Sequence, residues 1–492
     1  FLIELGLLKN LLASSLNTWR LFYFYIMDTL KRARINDLFE DCQRKSQKLR
    51  LTTEKERRHK LRKLEKWILQ NRGTIQKAVY ADLKKPKQET DLTEIFVVLS
   101  EIRKARRNLR LWMAPKKVSG GIPYLGTKAY TYPEPMGCCL IISPWNYPFQ
   151  LAVSPLVSAI AAGNSVIIKP SEFSEYTSTL IKKMCEDLFD KDEIGVVLGA
   201  VNESKELLSL PFNHIFFTGS PRVGKVVMEA AVKHLASVTL ELGGKSPAIV
   251  DETASIKDAA KKIAWGKWQN AGQVCVAPDY LLIHEQVKDR LVEELVVQSN
   301  KIYGDEKNYG SIINREHHNR INDMMADAIE RGATLEFGGK SDRTNLRFSP
   351  TLLSKVSRDS RIMNDEIFGP ILPLVTFSTL EEAVDLVNEK EKPLSLYVFS
   401  NKRKNIQRIK KETSSGMMTI NDTVLQFAHT GLPIGGVNHS GIGKAHGYHG
   451  FLAFSNEKAI LKQRIGLTMA KTVYPPFTKL KNWLIDFMIK YI

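Results

Sequence analysis

The chain has 492 residues, of which 43% are hydrophobic and 25% are charged, and its formal net charge is +18. This length and balance predict a globular protein with two or three domains. No uncharged run of eighteen apolar residues occurs, so we expect no membrane-spanning helix. The five cysteines are scattered and form no CxxC pair, which argues against a disulfide scaffold or a zinc site and favours a cytoplasmic location.

The N-terminal segment, FLIELGLLKNLLASSLNTWRLFYFYIM, begins without Met and lacks the basic start and small-residue cleavage site of a signal peptide. Met27 is the first Met of the chain. We therefore expect residues 1–27 to be a non-native or disordered extension. The alternative is a genuine segment that lies on a membrane surface.

Most of the positive charge lies in residues 31–117, which hold 26 Lys and Arg against 11 Asp and Glu. This region has a helical repeat of apolar residues, so the charges belong on solvated helix faces. No nucleic-acid-binding motif accompanies them, and we expect no nucleic-acid partner. The apolar faces are formed by Leu61, Leu64, Trp67 and Ile68 in one helix, and by Leu92, Ile95, Phe96, Leu99 and Ile102 in another.

A β-ribbon is predicted next, because residues 118–137 alternate Tyr, Thr and Lys between flanking Gly and Pro. Short apolar strands then alternate with helices. The strands are expected at 137–142, 164–172, 193–199, 214–220 and 238–242, and the clearest helices at 174–188 and 221–235. This alternation predicts an α/β fold with a parallel sheet covered on both faces.

The stretch FFTGSPRVG joins one of these strands to the following helix. Ser220 can cap that helix, with Pro221 in its first turn, and Gly219 and Gly224 allow a ligand close to the backbone. A helix N-terminus at the carboxyl edge of a parallel sheet attracts phosphate. Taken alone the pattern is weak, and an ordinary capped helix explains it equally well.

A second α/β region follows, with a helix over 255–270 and strands in PDYLLIHE, NDEIFGPILPLVTF and LSLYVFS. Between its first helix and first strand lies GQVCVAPDY, which places Cys275 in a loop between turn residues. A structural cysteine usually lies inside a strand or helix, whereas reactive groups favour loops on a rigid scaffold. Cys275 is therefore a candidate nucleophile.

Four segments, PWNYP (144–148), LELGGKSP (240–247), GQVCVAPDY (272–280) and NDEIFGP (364–370), each place a reactive side chain among small or turn-forming residues. In this order, and with Glu241 and Cys275 thirty-four positions apart, they resemble the aldehyde dehydrogenase superfamily, and its class 3 branch with the fatty aldehyde dehydrogenases in particular. The resemblance extends from about residue 35 to residue 476.

The resemblance implies a Rossmann-like NAD-binding domain, an α/β catalytic domain and a small β-ribbon oligomerisation arm. We assign residues 28–117 and 136–242 to the NAD-binding domain and residues 243–430 to the catalytic domain. Residues 118–135 and 431–470 are assigned to the arm. Residues 471–492 form a C-terminal amphipathic tail.

The same resemblance implies NAD(P)-dependent oxidation of medium- or long-chain aliphatic or aromatic aldehydes to carboxylic acids. Cys275 corresponds to the nucleophile that forms a thiohemiacetal and then a thioester. The Asn146 side chain and the Cys275 backbone N–H correspond to the oxyanion hole. Glu241 corresponds to the general base that activates the hydrolytic water.

Further residues correspond to the cofactor site of the family. Glu366 matches the residue that binds the nicotinamide ribose, with Phe368 beside the ring, and Lys169 and Glu172 match those that bind the adenosine ribose. Because Glu172 would repel a 2′-phosphate, NAD is expected to be preferred, with NADP also accepted. The expected cofactor site comprises Trp145, Lys169, Glu172, Gly219, Ser220, Gly224, Leu242, Gly243, Glu366 and Phe368.

The chain departs from the family pattern at PIGGVNHSGIG (433–443), where Ile434 replaces Phe and Asn438-His439 replaces a Gly-containing pair. This leaves the substrate shape open. The four histidines at 429, 439, 446 and 449 share no spacing with a carboxylate, so we expect no metal.

Three other functions stay open on the sequence. A CoA-acylating dehydrogenase is disfavoured by Glu241, because acylating members typically lack this base. A cofactor-free Cys hydrolase would need a His partner that no motif offers. A non-catalytic protein on the same fold is disfavoured by the four intact site residues.

Two interaction surfaces are also expected. The segments 118–135 and 450–462 resemble a dimerisation arm and its partner strand, which predicts a homodimer. In the tail, Leu480, Trp483, Leu484, Phe487, Met488 and Tyr491 follow a helical spacing over residues 478–492. This helix either folds back over the enzyme or lies in the plane of a membrane surface, and at about 1.5 Å per residue it is too short to span one.

Overall fold

The structure is a computed structural model that describes residues 16–121, 124, 126–466, 468, 471 and 474–491. Its helices are Leu16–Leu49, Glu54–Gln70, Arg72–Leu83, Lys87–Thr90, Phe96–Met113, Gln150–Ala162, Glu175–Leu188, Val201–Leu208, Pro221–Val232, Ile256–Trp268, Lys288–Tyr303, Arg315–Glu330, Arg361–Asn364, Leu380–Asn388, Arg403–Glu412, Gly447–Ala453 and Lys479–Tyr491. A π-helical turn, Asp91–Ile95, precedes Phe96–Met113. Short 3₁₀ turns lie at Gln269–Gly272, Glu285–Val287, Glu306–Asn308 and Leu425–Ala428.

Eighteen strands are described. They are β1 Lys116–Val118, β2 Thr127–Pro135, β3 Cys138–Ile142, β4 Ser165–Lys169, β5 Ile194–Val196, β6 His214–Thr218, β7 Ser237–Glu241, β8 Pro247–Val250, β9 Tyr280–His284, β10 Thr334–Phe337, β11 Ser341–Asp342, β12 Arg347–Phe348, β13 Thr351–Ser354, β14 Ile371–Phe377, β15 Ser395–Phe399, β16 Met417–Ile420, β17 Gly441–Ile442 and β18 Ser455–Gln463.

The first large sheet has the order β17-β7-β6-β3-β4-β5. Strands β3 to β7 are mutually parallel, as the five apolar runs predicted, and only the short β17 is antiparallel. The strand residues are buried on each side, because helices cover both faces of the sheet. Gln150–Ala162 is buried along its whole length and ends at Gly163, whose φ of 90° provides the left-handed cap.

The second large sheet has the order β10-β13-β14-β9-β8-β15-β16 and is parallel except for β10. Its core is the largest hydrophobic cluster of the chain and contains Trp268, Tyr280, Tyr397 and Phe399. The first sheet and the second sheet confirm the predicted α/β class, with a Rossmann-like unit and a second α/β unit.

The predicted ribbon is the third sheet, in which β2 lies between β1 and β18 and all nine residues of β18 pair with β2. The proposed arm segment 431–470 is divided by the structure. Gly441 and Ile442 pair with Glu241 and Leu240 of β7, so this part belongs to the first sheet. Only 455–463 lies in the ribbon.

Two further expectations differ from the structure. Residues 16–27, expected to be non-native or disordered, form the beginning of the helix Leu16–Leu49, and residues 1–15 lie outside the described part. In the second basic helix, Ile95, Leu99 and Ile102 are buried, but Leu92 and Phe96 are 65% and 51% exposed. The first basic helix places Leu61, Leu64, Trp67 and Ile68 in the core, as predicted.

Candidate active site

Cys275 lies in a loop that its neighbours hold rigidly. After the helix Ile256–Trp268, Asn270 and Ala271 take left-handed backbone angles, with φ of 50° and 53°. The Gln273 side chain donates to the carbonyls of Asn270 at 2.9 Å and Ser311 at 3.0 Å, and accepts from the Ile313 N–H at 3.0 Å. The half-buried thiol is thereby fixed on the scaffold.

Asn146 is held next to this loop. Its Nδ2 donates to the Gln273 carbonyl at 3.0 Å. The backbone carbonyl of Asn146 accepts hydrogen bonds from Asn270 Nδ2 at 2.9 Å and from Lys85 Nζ at 3.2 Å. Lys85 is fully buried and forms an ion pair with Glu94 at 2.8 Å. A buried network therefore sets the position of the Asn146 amide.

Glu241 ends β7, so it lies at the carboxyl edge of the first sheet. Burial raises the pKa of its carboxyl to about 8, and the nearby Lys444 opposes the shift. Lys444 Nζ donates to the carbonyls of Gly435 at 2.6 Å and Gly436 at 3.1 Å. A carboxyl with a pKa near neutral pH suits a general base.

Electrostatics keep the Cys275 sulfur protonated at rest. Burial, together with the nearby carboxyls of Glu366 and Glu241, raises the pKa of this thiol to about 12. The nucleophile must therefore lose its proton as it reacts, and a neighbouring base has to receive it.

Glu366 and Phe368 lie on a loop that is anchored from both sides. Arg320 donates to the carbonyls of Glu366 at 3.1 Å and Ile367 at 2.7 Å. The Ile367 N–H donates to Asp279 at 3.0 Å, and Asp279 pairs with Lys245. Burial and the Asp279 charge raise the pKa of Glu366 to about 8.

A groove of about 220 Å³ joins these elements. Ten of the thirteen predicted site residues line it, namely Trp145, Asn146, Gly219, Ser220, Glu241, Leu242, Gly243, Cys275, Glu366 and Phe368. The Trp145 ring meets Phe368 edge-on, with the ring centroids 5.4 Å apart. The four motifs thus meet at one place, although they are far apart in the chain.

The other three predicted residues, Lys169, Glu172 and Gly224, are not among those that line this groove. Lys169 is the last residue of β4, and its Nζ is 3.4 Å from the Glu172 carboxylate. Gly224 lies in the helix Pro221–Val232, where a Cβ would press on the Leu242 side chain. Ser220 caps that helix by accepting from the Val223 N–H.

A second, apolar cavity of about 330 Å³ reaches Cys275 from another side. Its lining is mainly hydrophobic and includes Leu92, Phe96, Tyr147, Val274, Val424, Leu425 and Phe427. We call it the apolar funnel. The exposed Leu92, Phe96 and Leu425 lie at its surface end. This explains why Leu92 and Phe96, predicted on an apolar helix face, are not in the core.

Sequence reasoning missed several residues of the site. Thr218, His317 and Arg320 line the groove, and the His317 ring lies 4.9 Å from Trp145. His317 and Arg320 stand in an ordinary amphipathic helix, Arg315–Glu330, with no motif around them. Lys444 stands within SGIGK and could have been suspected from its neighbours. Among the described residues, no group of three His, Cys, Asp or Glu is arranged to hold a metal ion.

Comparison with known proteins agrees with this geometry. The model of the aldehyde dehydrogenase family matches residues 24–460. The putative aldehyde dehydrogenase AldX of Bacillus subtilis is 45% identical over 428 residues, which cover 86% of this chain and 96% of AldX. Aldehyde dehydrogenase family 3 member A2 of Pongo abelii is 41% identical, over 88% of this chain and 90% of its own.

Solved structures give the same result. The substrate-bound state of Staphylococcus aureus AldH matches with a TM-score of 0.89 at 42% identity, covering 92% of this chain and 99% of AldH. Betaine aldehyde dehydrogenase from Staphylococcus aureus in complex with NAD⁺ matches with a TM-score of 0.78 at 27% identity, covering 88% of each chain. This chain belongs to the aldehyde dehydrogenase family.

Proposed function

We propose that this chain oxidises aldehydes to carboxylic acids with NAD(P), using Cys275 as the nucleophile, Glu241 as the base and Asn146 in the oxyanion hole. The observation that carries the proposal is the position of Cys275. It lines both the apolar funnel and the groove, so one sulfur faces a substrate route and a cofactor route.

The groove fits a dinucleotide. The Glu366 carboxylate occupies the space that a Cβ at position 243 would fill. Ser220 caps the N-terminus of the helix Pro221–Val232, and such a helix N-terminus suits a pyrophosphate. Glu366 and Phe368 would hold the nicotinamide end, and Lys169 and Glu172 the adenosine end. Two related dehydrogenases whose structures match this chain were solved with NAD⁺ and with NADP.

The first step is the addition of the Cys275 sulfur to the aldehyde carbonyl. The thiol proton passes to Glu241, and the Asn146 amide and the Cys275 N–H stabilise the oxyanion. A bound nicotinamide supplies the hydride acceptor that turns this adduct into a thioester. Glu241 releases the thiol proton to solvent and then takes a proton from the water that hydrolyses the thioester, and the acid is released.

The funnel favours apolar substrates. Its lining is dominated by aliphatic and aromatic side chains, and no Lys, Arg, Asp or Glu is among the described residues that line it. An alkyl chain or an aromatic ring is therefore preferred to a charged aldehyde. We assign the substrate class as medium- or long-chain aliphatic or aromatic aldehydes.

A cofactor and aldehyde matrix tests this function. Purified enzyme is given aldehydes of increasing chain length with NAD, then NADP, and absorbance is followed at about 340 nm. Aldehyde-dependent reduction without coenzyme A is expected, and Cys275→Ser should lose it while still binding NAD. Turnover that requires coenzyme A would favour the acylating alternative, and ester hydrolysis without any aldehyde oxidation would favour the cofactor-free hydrolase.

We also propose a homodimer. Strand β18 lies at the edge of the third sheet, and most of its residues are exposed. An exposed strand edge is commonly satisfied by pairing with a second chain. Light scattering at micromolar concentration should give twice the chain mass, and a monomer would contradict this.

The tail supports a proposal of contact with a membrane surface. Its helix, Lys479–Tyr491, has no buried residue, and Leu480, Trp483 and Ile489 are all well exposed. Lys479, Lys481 and Lys490 add positive charge suited to anionic lipid. No helix in the described part of the chain is long and apolar enough to cross a bilayer.

Deletion of residues 478–492 tests this contact. We expect weaker binding to anionic vesicles and a reduced preference for long-chain aldehydes. Equal vesicle binding and equal chain-length preference in the shortened enzyme would favour the alternative, a helix that folds back over the enzyme. We place the enzyme in the cytoplasm, at such a surface.

A further inference from the structure

A small cavity adjoins the groove at Glu241. Its volume is about 30 Å³, which suits one or two water molecules. Glu241 and Cys275 line both this cavity and the groove, and Glu101 and His446 line the cavity alone. We call it the rear cavity.

Unpartnered polar atoms converge on the rear cavity. Five buried side-chain atoms of its lining have no hydrogen-bond partner among the described residues: Glu241 Oε1, Glu101 Oε1, His446 Nδ1, Gln150 Oε1 and Thr218 Oγ1. Buried polar atoms are almost always satisfied by protein or by ordered water. So many unpartnered polar atoms around a water-sized space indicate a built water site rather than an accident of packing.

Glu101 and His446 form a buried pair at this site. Glu101 Oε2 accepts from the Gly447 N–H at 2.8 Å, which fixes the carboxylate. Glu101 Oε1 lies 3.1 Å from His446 Nδ1, but their approach lacks hydrogen-bond geometry, so the contact is electrostatic and both atoms keep hydrogen-bonding capacity. The side chains are 3% and 6% exposed.

The backbone supports a functional role for His446. Its φ is 68°, a conformation that is strained for a non-glycine residue and is usually retained where function requires it. The imidazole also packs edge-on against Phe427, with the ring centroids 5.0 Å apart. Phe427 also lines the apolar funnel, so the His446 ring is confined to the side of the rear cavity.

We propose that water in the rear cavity connects Glu241 to the Glu101–His446 pair, and that this pair orients Glu241 and receives the proton released during thioester hydrolysis. The inference rests on the proposed function. Glu101 and His446 act through Glu241 and water, so both are positioning residues.

The protons of hydrolysis balance along this route. The water oxygen bonds to the thioester carbon, the C–S bond breaks, and the product leaves as a carboxylate. One of the two water protons restores the Cys275 thiol. The other passes from Glu241 through the cavity water to the His446 imidazole, which exchanges it with solvent.

The test separates acylation from hydrolysis by rapid mixing of enzyme, NAD and aldehyde. In Glu101→Gln and in His446→Gly, we expect an unchanged first-turnover burst of reduced cofactor and a steady-state rate lowered about 10- to 100-fold, the usual loss for residues that orient a catalytic group. Glycine at 446 tolerates the positive φ and leaves room for added imidazole, which should restore part of the rate.

A matched control is Glu193→Gln, a similarly buried carboxylate that pairs with Lys60 away from both cavities. It should keep both the burst and the steady-state rate. Wild-type hydrolysis in both Glu101→Gln and His446→Gly overturns the proposal. So does loss of rate in His446→Gly with no response to imidazole, because damage to folding would not be rescued. A wild-type enzyme without aldehyde-dependent NAD reduction would instead refute the proposed function.

Discussion

The side-chain amide of Asn146 donates a hydrogen bond of 3.0 Å to the backbone carbonyl of Gln273, two residues before the nucleophile. This contact joins the loop after β3 to the Cys275 loop. An amide NH₂ has two N–H groups, so one ties the loops together while the other remains available for an oxyanion. The same side chain therefore holds the nucleophile loop, and its second N–H is available for the proposed oxyanion hole.

From this relationship we predict that Asn146→Ala lowers kcat about 10²- to 10³-fold, the usual loss when one oxyanion donor is removed. The measurement is kcat with one aldehyde at saturating NAD. Asn388→Ala is the control, because Asn388 is an exposed residue whose amide donates to the distant Glu412 carbonyl. A variant at position 146 with near-native kcat would remove Asn146 from the oxyanion hole.

Gly243 should be intolerant of any side chain. A Cβ there would overlap the Glu366 carboxylate, so Gly243→Ala must displace the residue assigned to the nicotinamide end. We expect NAD affinity to fall about tenfold or more, as overpacking of about 1–3 kcal/mol implies. Gly73→Ala provides the control, since no atom lies within 4 Å of its Cβ position. Equal NAD binding by titration in both variants would contradict the assignment.

Thioester hydrolysis should depend on pH through Glu241. Its raised pKa of about 8 means that the carboxyl is neutral and inactive as a base below that pH, and ionised above it. The hydrolysis rate should therefore rise with pH up to about 8 and then level off. Single-turnover release of the acid measures this step, and Glu241→Gln should be slow at every pH.

Lys444 offers a second check on the same group. Its positive charge opposes the rise in the Glu241 pKa, so Lys444→Met should move the midpoint of the pH profile upward. A profile whose midpoint stays in place would mean that another group controls hydrolysis.

Cofactor preference should depend on Glu172. Its carboxylate lies 3.4 Å from Lys169 Nζ at the carboxyl end of β4, where the adenosine ribose is assigned. In Glu172→Gln, we expect kcat/KM for NADP to rise about tenfold relative to NAD, because a negative charge no longer faces the 2′-phosphate. The exposed Glu175→Gln is the control, and an unchanged ratio at position 172 would exclude the carboxylate as the discriminator.

Local motifs were sufficient to nominate the candidate site residues. Cys275, Glu241, Asn146 and Glu366 each lie in a short segment rich in small or turn-forming residues, and the resemblance of these segments to the family supplied their expected roles. The five parallel strands were predictable for a similar reason, because strands buried on both faces are continuous apolar runs. Neither inference needs contacts between distant parts of the chain.

The apolar funnel was not predictable, because helical periodicity is interrupted there. The π turn Asp91–Ile95 adds one residue to the helix, which rotates the flanking residues by roughly 100° relative to each other. Leu92, inside this turn, and Phe96, directly after it, line the funnel, whereas Leu99 stays in the core. A regular 3.6-residue repeat predicts all three on one buried face.

The rear cavity likewise depends on tertiary structure alone. Glu101 lies in the basic helix Phe96–Met113, and His446 follows the segment PIGGVNHSGIG almost 350 positions later. The Glu101–Gly447 hydrogen bond spans 346 residues. Neither residue lies in a local motif. The two residues meet only because two helices and β7 enclose the rear cavity between them. Which polar groups face one another in a core is decided by packing, and packing is not encoded within any short window of sequence.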